Sequence, residues 1–122
     1  MEFEGKFGIG AITSIALNYA WLSWPESRKF KLELLRLTTP VEGEPEKSPL
    51  AFLEHYHFGL LSIIIGKVIN SKLSPYLYGL GSGLIFSEVL GDHPFGIGKS
   101  EYEVRGNIIL GSILFGLLLA VW

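Results

Sequence analysis

The sequence predicts an all-α integral membrane protein, with four transmembrane helices in two antiparallel hairpins. Three observations carry that expectation. Hydrophobic residues make up 48% of the 122-residue chain and charged residues only 18%, against roughly 25% charged in soluble domains. Mean hydropathy is positive, at +0.37. The charges are gathered into short segments, which leaves uncharged apolar runs near the length needed to cross a hydrocarbon core about 30 Å thick.

The length suggests a single membrane domain, 1–122. The net charge of −2 gives no basic bias, and no zinc-ribbon, helix-turn-helix or RNA-binding signature is present, so nucleic acid is not an expected partner. The absence of cysteine excludes disulfides, thiolate metal sites and cysteine nucleophiles.

The first span is expected at 7–24. Trp21 and Trp24 suit a membrane interface, and Pro25 a stop. Its start carries Glu2 and Glu4 with only Lys6 against them, and no small-residue cleavage site follows. The run therefore reads as a span rather than a cleavable signal. Gly10 and Ser14 permit close approach of another helix, and Asn18 is its strongly polar side chain.

A hydrophilic segment, 25–49, follows. Phe30, Leu34 and Leu37 share a helical face, which favours an interfacial amphipathic helix over 28–37. Alternation from Lys29 to Leu34 also fits a strand, but a lone strand would leave backbone groups unpaired. Thr39 to Pro49 is acidic and turn-rich and reads as a mobile, solvated linker.

The second span is expected at 50–69, with Lys67 reaching outward at its far end. A short turn, 70–74, makes the third span (75–90) its antiparallel neighbour. Proline suits a first helical position, here Pro75. Gly79 and Gly83 form a GxxxG pair for helix packing, and the fourth span (106–122) offers Ser112 and Gly116 for the same use.

Four spans divide the basic residues unevenly. Arg28, Lys29, Lys31, Arg36, Lys47, Lys99 and Arg105 fall on one side, and Lys6, Lys67 and Lys72 on the other. The positive-inside rule then makes 25–49 and 91–105 cytoplasmic in a multi-pass cell-membrane protein, with both termini outside.

That topology gathers Glu54, His55, His57, Glu88, Asp92 and His93 at one membrane face. Ionisable groups at the edge of a span are costly to place, so the cluster is the expected working surface. Glu54 and His57 are three apart and share a face of a regular helix, with His55 aimed elsewhere. Glu-x-x-His is the spacing of carboxylate-bridged dimetal bundles. Glu54, His57 and Glu88 supply half such a set, which a symmetric homodimer would complete around iron, manganese or zinc.

Three functional readings follow: a small binding or accessory membrane protein, oligomeric or bound to a membrane partner; a metal-dependent membrane enzyme; and an oligomeric ion or proton transporter. A plainer role for the cluster is to cap helices in the headgroup region. Lys99 and Arg105, beside a glycine-rich turn, are candidates for an anion or lipid phosphate. Gly98-Lys99-Ser100 does not complete a nucleotide loop, because His93 stands where the first glycine is required.

Overall fold

The computed structural model describes residues 2–90 and 101–122. Five α-helices run through them: α1 (Phe3–Ser23), α2 (Ser27–Thr38), α3 (His55–Ile69), α4 (Ser74–Val89) and α5 (Glu101–Val121). Two 3-10 turns, Pro45–Lys47 and Pro49–Phe52, lead into α3, and no strand occurs among the described residues. The 28–37 segment is therefore helical. Asp92, His93 and Lys99 lie outside the described residues.

Local chemistry explains the boundaries. Trp24 is extended because the residue before a proline is pushed out of the helical region, so α1 stops there. Trp21, Trp24 and Phe30 then pack edge-on or tilted against one another, with centroids 5.7–6.2 Å apart, and hold the α1–α2 corner. The acidic linker folds back on α2: the Thr38 and Ser48 hydroxyls hydrogen-bond, Ser48 is fully buried, and Leu50 N–H donates to Ser48 Oγ. Between α3 and α4, Asn70 takes the left-handed conformation (φ 42°) as a C-cap, and Ser74 Oγ donates to the Gly66 carbonyl at 2.6 Å.

Several expected boundaries move. The run expected as a span from residue 50 forms a 3-10 turn and an extended Leu53 before α3 starts at His55. The helix at 106–122 instead begins at Glu101 and ends at Val121. α3 and α4 have 15 and 16 residues, which at 1.5 Å per residue is only about 22–24 Å. Among the described residues, α5 alone is long and apolar enough to cross a membrane. α1 is as long but carries Glu4, Lys6 and Asn18.

The helices lie side by side in the order α1, α4, α3, α5. Backbone contact sets the first two interfaces. A Cβ on Gly79 would strike the Phe7 carbonyl, and one on Gly83 would strike Ser14 Oγ, so one edge of α4 meets α1. Gly81, on the other edge, meets Gly59 of α3, and Ser62 Oγ donates to the Leu77 carbonyl at 2.8 Å. α1 and α4 run parallel, while α3 runs against α4 and parallel to α5.

Ser112 and Gly116 do not pack inside the chain: both are exposed, and a Cβ on Gly116 would meet nothing. α5 meets α3 one residue away, through Asn107 and Gly111, because Tyr56 fills the gap that Gly111 leaves.

The two ends differ. At one, Lys67 Nζ sits 4.6 Å above the Trp122 ring, which also contacts Tyr78, itself against Phe3. Both described chain ends lie here. The other end carries the tryptophan corner, Glu54 and Glu88. Between them the usual distribution is inverted. Among the described residues the buried hydrophobics are Ala51 and Leu60, whereas Ser14, Ser62, Glu88 and Asn107 are buried and Ile12, Leu17, Ile109 and Leu119 are each at least 60% exposed.

If backbone approach holds α4 in place, Gly79→Leu should lower stability by about 1–3 kcal/mol or more through overpacking. Gly116→Leu should change it by no more than about 0.5 kcal/mol. Thermal unfolding of the two variants in detergent measures the difference; equal melting temperatures would contradict the interface.

Candidate functional site

The site forms where α3 begins and α4 ends. Gly59, Ser62 and Gly66 make the stripe of α3 that faces α4, and four residues before Gly59 that stripe reaches His55. On α4 the stripe through Gly81 and Ile85 reaches Glu88. The glycines that let α3 and α4 touch therefore bring these two side chains together. His55 Nδ1 lies 3.5 Å from Glu88 Oε2, and the Glu88 side chain is only 5% exposed.

Glu54 joins from just outside the helix. It is the N-cap of α3, with extended backbone (φ −126°, ψ 166°). Each of Glu54, His55 and Glu88 offers a ligand atom, and these three atoms lie within 4.8 Å of one another. Two carboxylates held so close repel, and a cation between them removes that repulsion. An oxygen–oxygen–nitrogen donor set suits a divalent transition ion such as iron, manganese or zinc.

His57 has a different place from the one its spacing predicts. The Glu54 N–H donates to His57 Nδ1 at 2.8 Å, as in a capping box. Nδ1 therefore carries no proton, and Nε2–H donates to the Asn107 carbonyl at 3.1 Å. Both ring nitrogens are engaged and the residue is 2% exposed. The pairing of Glu54 and His57 as co-ligands assumed that both stand on the helix. Because Glu54 caps it instead, the i,i+3 relation becomes a cap, and His55 is the histidine that faces Glu88.

Tyr56 completes the link to α5. Its hydroxyl donates to Asn107 Oδ1 and approaches the Asn107 carbonyl at 3.2 Å. The Asn107 side-chain nitrogen is buried with no hydrogen-bond partner among the described residues. This polar clamp was not anticipated from sequence. Its signal is Asn107 within an apolar run, opposite the aromatic pair Tyr56-His57. Arg105 donates to Glu101 one turn earlier on exposed helix surface. Asp92 and His93, expected in the same cluster, and Lys99, expected at an anion, fall outside the described residues.

A cavity of about 620 Å³ opens beside the cluster, lined by Asn18, Arg28, Lys31 and Ser87 together with Glu54, His55 and Glu88. Comparison with family models, curated proteins and solved structures gives no match.

The different roles of the two histidines predict different phenotypes. His57→Ala breaks two buried hydrogen bonds and should destabilise the protein by about 2–4 kcal/mol. His55→Ala, at a half-exposed position, should cost less than about 1 kcal/mol. Chemical or thermal unfolding of both variants checks this ordering; the reverse order would contradict the assignment.

Proposed function

We propose that the chain is a small integral membrane binding protein whose Glu54–His55–Glu88 cluster holds a divalent cation at one membrane face. The observation that carries this reading is the convergence of the three donor atoms within 4.8 Å around a buried Glu88. The lipid bilayer is the first partner. Supporting it are the inverted burial pattern and aromatic side chains at both ends of the helix row, as at two interfaces. α1, α3 and α4 then accompany α5 across the bilayer. Shorter helices are accommodated by local thinning and by flanking residues that reach the interface, as Lys67 does over Trp122.

On this reading the cluster faces the cytoplasm with residues 25–49, and both termini face outward. Two carboxylates and one imidazole leave positions free on an ion, so the site can take a second ligand rather than closing around the metal. No second copy of the chain is needed to complete it, unlike the dimetal arrangement expected from Glu-x-x-His.

Two measurements test the proposal. Titration calorimetry with Mn2+ or Zn2+ should show one site per chain in detergent, weakened about tenfold or more, or about 1.4 kcal/mol, in Glu88→Gln and His55→Ala. Binding that survives both substitutions excludes the site. For topology, the chain has no native cysteine, so single cysteines report cleanly. Glu42→Cys should resist an impermeant thiol reagent in intact cells while Lys72→Cys reacts; the opposite pattern reverses the orientation.

A further inference from the structure

Beside the cluster lie two cavities of different character that share Trp21, Lys31, Glu54 and His55. The larger, about 620 Å³, is within the roughly 300–1,000 Å³ usual for small-ligand sites. Its lining mixes charged and apolar side chains: Arg28, Lys31, Glu54 and Glu88 stand with Tyr19, Leu22 and Leu90. The smaller, about 270 Å³, is walled by Phe30, Leu34, Leu50, Leu53 and Phe58. A cavity that carries the charged groups, joined to one walled mainly by apolar side chains, matches a ligand with a head and a tail.

We infer that this double cavity takes a phosphate-bearing amphiphile. The phosphoryl group lies between Arg28, Lys31 and the cation of the Glu54–His55–Glu88 cluster, and the hydrocarbon chain lies against Phe30, Leu34 and Phe58. The inference rests on the cation reading proposed above.

Charge decides the headgroup. Without a cation, Glu54 and Glu88 repel an anion that Arg28 and Lys31 attract. A divalent ion between the carboxylates neutralises their two charges, so Arg28 and Lys31 draw the anion unopposed and the ion's open positions can take a phosphate oxygen. Arginine's planar fork also suits phosphate oxygens better than a point charge does. A second observation points to the ligand. Asn18 lines this chamber, and its Oδ1 is buried with no hydrogen-bond partner among the described residues. A buried acceptor left unmatched is costly, and a hydroxyl on the headgroup supplies the missing donor.

Position decides the tail. The larger cavity is bordered by Ile15, Tyr19 and Leu22, side chains that α1 turns outward, at 43%, 73% and 68% exposure. A ligand enters sideways, from the layer that surrounds the helices, without leaving the apolar phase. A water-borne phosphate has no use for that route or for the apolar chamber.

Native mass spectrometry of the full chain in dodecyl maltoside tests the inference. The probes are dioleoyl phosphatidic acid, dioleoylglycerol and inorganic phosphate, each with Mn2+ or with EDTA. With Mn2+ the chain should retain one phosphatidic acid about tenfold more than dioleoylglycerol, and inorganic phosphate should not displace it at equal concentration. Retention should fall about tenfold in the Arg28→Gln, Lys31→Gln double variant, whose changes lie on exposed positions, and about tenfold in EDTA. Equal retention of phosphatidic acid and dioleoylglycerol, no loss in the double variant, or ready displacement by inorganic phosphate overturns the amphiphile site. Mn2+ binding that Glu88→Gln abolishes then still supports the cation reading. Loss in the double variant without any difference between Mn2+ and EDTA does the reverse: it supports the amphiphile site and overturns its dependence on the cation.

Discussion

The close approach of α4 to both of its neighbours is the constraint on which the rest depends. Glycines on alternate edges of one helix, Gly79 and Gly83 toward α1 and Gly81 toward α3, remove the side chains that would hold the backbones apart. Packing of this kind needs no large apolar core, and among the described residues there is almost none: serines, glycines and a few polar groups are buried, and many large apolar side chains are exposed. In water such an arrangement leaves the hydrophobic term unused. In a bilayer, where helices associate by backbone packing and hydrogen bonds, it is the expected solution.

The same contacts set the chemistry. Because α3 and α4 touch along the glycine stripes, His55 and Glu88 at the ends of those stripes must meet, and the N-cap Glu54 closes the third side. The polar cluster is thus a product of helix registration rather than of a local motif. His57, two residues from His55, is turned about 200° around the helix and faces another neighbour. Together with Tyr56 it fastens α5 to α3 through Asn107. One short stretch, Glu54-His55-Tyr56-His57, therefore serves two interfaces and the candidate site at once.

Much of this was legible in the sequence. The helical class, the amphipathic segment before the second apolar run, the tight turn at 70–74 and the nearness of Glu54 and His55 to Glu88 follow from periodicity, turn residues and charge distribution. The choice between the histidines did not follow, because the i,i+3 rule holds only inside a helix and Glu54 lies one residue outside it. The stripe Gly59, Ser62, Gly66, extended back to His55, carried the better signal. Gly81 was hidden between two glycines of a more familiar spacing. Ser112 and Gly116 had the right spacing on the wrong face, since which edge of α5 is used depends on Tyr56, a residue some fifty positions away that spacing within α5 cannot show. Helix starts were misplaced for a related reason. Apolar character does not distinguish a 3-10 turn, as at Pro49–Phe52, from the first turn of a helix.

The cation proposed for the junction of α3 and α4 would link these features: it would balance the two carboxylates that helix packing brings together and leave the neighbouring cavity to the positive charge of Arg28 and Lys31. Crystals grown with Mn2+ and measured above and below the manganese absorption edge test this most directly. One anomalous peak is expected in contact with Glu54, His55 and Glu88, with the His57 ring still bonded to Asn107. A peak ligated by His57, or none at the cluster under saturating Mn2+, would contradict it.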